Sequence, residues 1–177
     1  AMPSYQYLNQ LADCPDVPEY FLSQTHSMTE GEQQELLHRF QAMDQAVLGI
    51  VMGGVFGESI DLSSNALTGV VVVSLALPPK DLIKTLTSEH FDQTHGSGWG
   101  QQVAYLQPAL SRIVQAAGRV IRGPQDKGVL CLVDPRFADP KLARFFPEHW
   151  RVQQSSAIDA EIYLNGFWSN DLSSIGD

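Results

Sequence analysis

The chain is short of charge and of cysteine, and each shortage removes a class of protein. Charged residues make up 18% of its 177 positions, below the roughly one quarter usual in soluble domains. Acidic residues outnumber basic ones by 20 to 11, a net charge of −9. Broad attraction to a phosphate backbone is excluded, so any nucleic-acid contact has to be local. Cys14 and Cys131 stand far apart and outside any C-x-x-C pattern. They suggest neither a zinc site nor a disulfide framework, and a reducing, cytoplasmic location is expected. His26, His38, His90, His95 and His149 are scattered without metal-ligand spacing, so no metal is assigned. The apolar runs are too short to span a bilayer, and no basic region followed by an apolar stretch opens the chain; no membrane contact is expected. A G-x-x-x-x-G-K-[ST] phosphate loop, a nucleophile elbow and an internal repeat are all missing from the sequence.

What is present is enough apolar material, 44% of residues, for the core of one domain. Pro3 to Leu11 and Glu30 to Phe40 read as helices. Thr29 caps the second, Glu30 and Glu32 occupy its first turn, and Leu36, Leu37 and Phe40 form its buried face. Val47 to Phe56 and Gly69 to Leu77 are apolar runs ending in glycines and in Pro78-Pro79, the pattern of parallel strands buried on both faces. A helix over Lys80 to Phe91, a glycine-rich loop over Thr94 to Gly100, a long helix from Val103 to Ile121 and a strand over Gly128 to Asp134 come next. Alternating strands and helices predict an α/β three-layer domain with a mostly parallel sheet. Ala160 to Trp168 reads as a short edge strand and Ser169 to Asp177 as a loose tail. The opening Ala1-Met2 resembles a remnant of tag removal, and the chain passes straight into helical patterning with no leading strand, as a fragment would.

The segment Ser111-Arg-Ile-Val-Gln-Ala-Ala-Gly-Arg-Val-Ile-Arg122 concentrates positive charge on this acidic chain. At about 100° per residue, Arg112, Gln115, Arg119 and Arg122 share an arc of roughly 80°. Leu106, Leu110, Ile113, Val114, Ala117 and Ile121 take the opposite, buried side. Gly118 inside a helix costs up to about 1 kcal/mol relative to alanine and suggests close approach by a phosphate or a partner. By spacing alone, a solvated basic face is the commoner explanation of such a stripe.

Gln115-Ala-Ala-Gly-Arg-Val-Ile-Arg122 matches the Q-x-x-G-R-x-x-R pattern of motif VI in superfamily 2 helicases. Asp126-Lys-Gly-Val-Leu-Cys-Leu-Val-Asp134-Pro-Arg-Phe137 is similar to the segment downstream of that motif in the DinG/XPD branch. Gly53-Gly-Val-Phe-Gly-Glu-Ser-Ile-Asp61-Leu62 resembles motif V of the same branch, G-x-F-x-E-G-x-D-L, with Ser59 where the pattern has glycine. Pro3-Ser-Tyr-Gln-Tyr7 resembles the segment after the first strand, near motif IV. The chain thus resembles, over Pro3 to Phe146, the second RecA-like domain of these helicases, truncated at its N-terminal strand.

That resemblance implies a motor domain that works against an N-terminal P-loop helicase domain, with ATP and Mg²⁺ held mainly by that other domain. It implies arginine fingers at Arg119 and Arg122, and an amide at Gln115 that orients the attacking water or a phosphate oxygen. Gly54, Glu58, Asp61 and Gly118 would line the nucleotide cleft. Single-stranded DNA would run past Arg112, Ser74 and Trp99. Arg136 is read either as a nucleotide contact or as a brace for Asp134. An iron–sulfur cluster, where such helicases hold one, would lie outside this chain. The helicase domain is expected over 1–152 and an extension over 153–177, and the chain alone is expected to be inactive as an ATPase. The competing reading is a non-catalytic module that docks protein or DNA through its basic helix.

Overall fold

The computed structural model describes residues 1–54, 56, 67–121, 123 and 126–169. These fall into two compact units, residues 1–146 and 147–177.

In the first unit, helix α1 (Tyr5–Ala12) opens on Ser4, whose Oγ accepts the Tyr7 amide at 3.4 Å, and seats Leu8 in the core. Strand β1 (Phe21–Ser23) is three residues long. Pro18 precedes it and the buried polar Gln24 comes directly after it, so no alternating pattern announces it in the sequence. Helix α2 (Glu30–Ala42) carries the expected cap in full: Glu32 donates its amide to the Thr29 hydroxyl, and the Glu32 carboxylate accepts the Thr29 amide at 2.7 Å. Leu36 and Phe40 from its inner face pack with Leu22 and Phe56.

The strands are parallel and shorter than their apolar runs. Strand β2 (Val47–Gly49) pairs with β1, Phe21 opposite Val47. Strand β3 (Gly69–Val73) pairs with β4 (Val129–Val133), Gly69 opposite Val129. Ala1 and Met2 join the two pairs. The Met2 amide donates to the Ile50 carbonyl at 2.8 Å and the Met52 amide to the Met2 carbonyl at 2.9 Å, while the Val73 amide reaches the Ala1 carbonyl at 2.9 Å and the Ala1 nitrogen donates to Val71. The hydrogen-bonded order is therefore β1, β2, Ala1–Met2, β3, β4. Met2 forms an isolated parallel bridge to Val51 ahead of α1; two residues are too few to carry a strand pattern in the sequence. Burial there holds the α-amine of Ala1 down to about 6.

Two further expectations need correction. β3 is not buried on both faces: Val72 is inaccessible but Val71 is 50% exposed, and Val133 of β4 is 54% exposed. A run of valines marks β propensity without telling which faces are covered. The long helix also has other bounds, running from Trp99 through a π-turn to Ala117. Helix α3 (Leu82–His95) starts at its cap Asp81, which accepts the Lys84 amide at 2.8 Å and pairs with the Lys84 ammonium, and it ends at Gly96. A short helix α4 (Trp99–Gln101) then leads through a π-turn, Gln102–Leu106, into α5 (Gln107–Ala117). Leu110 and Ile113 are buried as expected, together with Ala109, whereas Leu106, Val114 and Ala117 are half-buried and Ile121 is 53% exposed. The helix stops at Ala117, so helical spacing no longer sets the direction of Ile121.

After β4 come a 3₁₀ turn (Pro135–Ala138) and helix α6 (Pro140–Ala143), capped by Asp139 through the Lys141 amide. In the second unit, the expected edge strand over Ala160 to Trp168 is instead helix α7 (Ala157–Ser169). Ser156 accepts the Asp159 amide at 3.2 Å and donates its hydroxyl to the Asp159 carboxylate at 2.7 Å. This local start signal outweighs the β propensity of the aromatic residues beyond it.

Candidate functional site

Because the strands are parallel, their C-terminal ends lie along one edge of the sheet, where open α/β sheets hold their ligands. Four segments reach that edge: Gln24 after β1, the turn Met52–Gly54 beyond β2, Ser74 after β3, and Asp134 with Arg136 after β4.

Gly53 has φ +74, and an added Cβ there would meet Cζ of Arg112 at 3.0 Å and its Nη1 at 3.2 Å. The guanidinium of Arg112 thus lies against the glycine turn, which ties α5 to the segment that follows β2. Among the described residues, no hydrogen bond or ion pair engages that guanidinium. The turn is held from the other side by Gln24, a residue that sequence reasoning missed. The Gln24 carbonyl oxygen accepts the Val51 amide at 3.1 Å, and its amide group donates to the Tyr5 hydroxyl at 2.7 Å. Gln24 is 3% exposed with both ends satisfied, and an added Cβ on Gly54 would lie 3.6 Å from its Nε2. Nothing local distinguishes Gln24 from a surface glutamine.

At the ends of β3 and β4, Arg136 donates from Nε to Asp134 Oδ1 at 2.8 Å and from Nη2 to Oδ2 at 2.6 Å, a two-point pair. Its Nη2 also donates to the Ser74 hydroxyl at 2.9 Å. The Arg136 guanidinium beside it holds the Asp134 carboxyl down to about 2. Of the two readings of Arg136, the brace for Asp134 is observed. Ser74 and Ala76 have φ of 68° and 44°, left-handed conformations that cost a non-glycine residue on the order of 1–3 kcal/mol each.

The remaining expected residues divide. Gln115 is exposed on α5, and Arg119 is half-buried in the turn just after Gly118. Gly118 has a local role within this chain. It is the C-cap of α5 at φ −64°, and an added Cβ would meet only helix carbonyls, at 3.4 Å and 3.6 Å. A glycine at a helix end carries little of the penalty it has in a helix interior. Trp99 is 45% exposed beside His95, their rings 5.6 Å apart, whereas Tyr105 is buried. Glu58, Asp61 and Arg122 lie outside the described residues. Among the described residues, no group of three or more His, Cys, Asp or Glu side chains is placed to hold a metal ion, and no helix is long and apolar enough to cross a membrane.

A family model described as the helicase C-terminal domain matches residues 1–153. The chain is 28% identical over 138 residues to the ATP-dependent DNA helicase XPD of Sulfolobus acidocaldarius, covering 76% of this chain and 24% of that protein. It is 24% identical over 171 residues to the 3′-5′ exonuclease DinG of Staphylococcus epidermidis, covering 92% of this chain and 18% of that one. A solved XPD helicase superposes with a TM-score of 0.63 at 21% identity, covering 81% of this chain and 25% of that one. The chain therefore belongs to the helicase C-terminal domain family, of the DinG/XPD type, with an α/β RecA-like fold. It spans a quarter or less of the length of each of these relatives.

Proposed function

We propose that this chain is the second motor domain of an ATP-dependent DNA helicase, a three-layer domain cut short in its first strand. It would act on a nucleotide held mainly by a separate P-loop domain with Mg²⁺. The pairing of Ala1–Met2 between β2 and β3 supports the truncated strand. The observation that carries the reading is the guanidinium of Arg112, unpaired among the described residues and set against the left-handed Gly53 turn that follows β2. A half-buried cation with no acidic partner among the described residues, on an acidic protein, fits an anionic ligand.

In this reading Arg119 and Arg122 act as arginine fingers on charge developing at the γ-phosphate, and Gln115 orients water or a phosphate oxygen. Gly54, Glu58, Asp61 and Gly118 line the nucleotide cleft. Arg112, Ser74 and Trp99 face the single strand, Trp99 as a half-exposed ring for stacking. Cleft closure then couples hydrolysis to movement along DNA. Any iron–sulfur cluster would belong to another part of the helicase, and this chain alone would hydrolyse ATP negligibly. Helix α3 favours a second reading, a docking module, because it leaves Leu82, Ile83 and Leu86 exposed.

The test is single-strand-stimulated ATP turnover by this chain expressed with the upstream residues of its gene. Arg119→Ala and Arg122→Ala should each lower turnover about a thousandfold with nucleotide binding retained. Unchanged turnover, or an upstream region with no ATPase domain, would favour the docking module.

A further inference from the structure

Ser74 and Ala76 are left-handed although neither is glycine, while Leu75 between them has negative φ. Such a turn persists only where neighbours impose it. At Ser74 two bonds do so: its amide donates to the Val133 carbonyl at 3.0 Å, and its hydroxyl accepts from Arg136 at 2.9 Å. Arg136 is itself fixed, because Asp134 accepts from its Nε, its Nη2 and its backbone amide. A pair two residues apart needs nothing else to brace the end of β4. The third side-chain bond instead reaches 62 residues back along the chain to the strained serine.

With its hydroxyl engaged, Ser74 offers little through its side chain. Among the described residues, the amides of Leu75, Ala76 and Leu77 donate to no acceptor. φ alternates in sign along Ser74, Leu75 and Ala76, the alternation found where successive amides converge on an anion. Leu75 and Ala76 are 4% and 8% exposed, so the turn opens to solvent on the side of Leu77, 38% exposed, and of the Arg136 side chain, 48% exposed.

We propose that Arg136, held by Asp134, is a positioning residue that shapes the Ser74–Leu77 turn so that its amides receive a phosphate of single-stranded DNA. This rests on the reading of the sheet edge as a DNA track, and it assigns the contact at Ser74 to the backbone. Arg136 acts through the turn and does not itself bind the strand.

The experiment is a titration of the ¹⁵N-labelled chain with oligothymidine, following amide resonances. In the wild type, Leu75, Ala76 and Leu77 should shift. Arg136→Ala should abolish those shifts while resonances elsewhere stay dispersed. Adding Ser74→Gly should restore them, because glycine holds φ near 68° without help. If Arg136→Ala alone unfolds the chain, Asp134→Asn and the Arg136→Ala/Ser74→Gly double variant carry the comparison. Shifts that persist in Arg136→Ala, or that glycine fails to restore, overturn the positioning role. Wild-type shifts confined to Gly53 and Arg112 overturn the proposal but leave the track reading standing. No shifts anywhere overturn both.

Discussion

The guanidinium of Arg112 rests on the backbone of Gly53, so the helix that carries the arginines and the glycine turn beyond β2 meet at one point. Substitution should be felt on both sides of that contact. Gly53→Ala must hold alanine at φ +74 and displace a guanidinium carbon 3.0 Å away. A loss of about 1–2 kcal/mol in urea unfolding is expected. Combining it with Arg112→Ala should recover only the steric share. An unchanged midpoint for Gly53→Ala would show that the turn yields freely.

Arg112 has no partner to lose among the described residues, so Arg112→Ala should change stability by less than about 1 kcal/mol. If it contacts a phosphate, its removal should weaken oligothymidine binding and flatten the plot of log affinity against log salt by about 0.7. A parallel plot would remove Arg112 from the track.

The ion pair at the end of β4 predicts a pH response. Asp134 is held down to about 2, against 3.8 ordinarily. Its folded pKa is depressed, so its contribution is full above about 4 and is lost as pH falls through about 2. Acid titration of stability should show a step on the order of 1 kcal/mol in that window, kept small by the open side of Arg136. Asp134→Asn should remove it. A variant with the wild-type acid limb would assign the step to other carboxylates.

Gly100 packs so tightly that an added Cβ would lie 2.0 Å from the Ser88 carbonyl oxygen. Backbone cannot retreat as a side-chain tip can, so Gly100→Ala should force α3 and α4 apart at about 1–3 kcal/mol. Thermal unfolding within a degree of the wild type would refute this.

Much of the fold and of the site was legible along the chain. The Thr29 cap with Glu32, the order of helices and apolar strands, and the Gln115 to Arg122 pattern are local properties, readable wherever the chain goes. The shortfalls came where several residues vote weakly. The valines of β3 mark a strand but not its covered face, and three residues at β1 carry no period. The aromatics of α7 hid a helix whose start was written in Ser156 and Asp159.

By itself the sequence determined the family, the parallel α/β alternation and the Gln115 to Arg122 pattern, because each is carried by short-range spacing. Tertiary structure alone decided that α5 ends at Gly118, that Gln24 is buried beneath the glycine turn, that Arg112 meets Gly53 and that Arg136 reaches Ser74. Those contacts join segments tens of residues apart, and parallel pairing brings them to one edge only when the whole sheet forms.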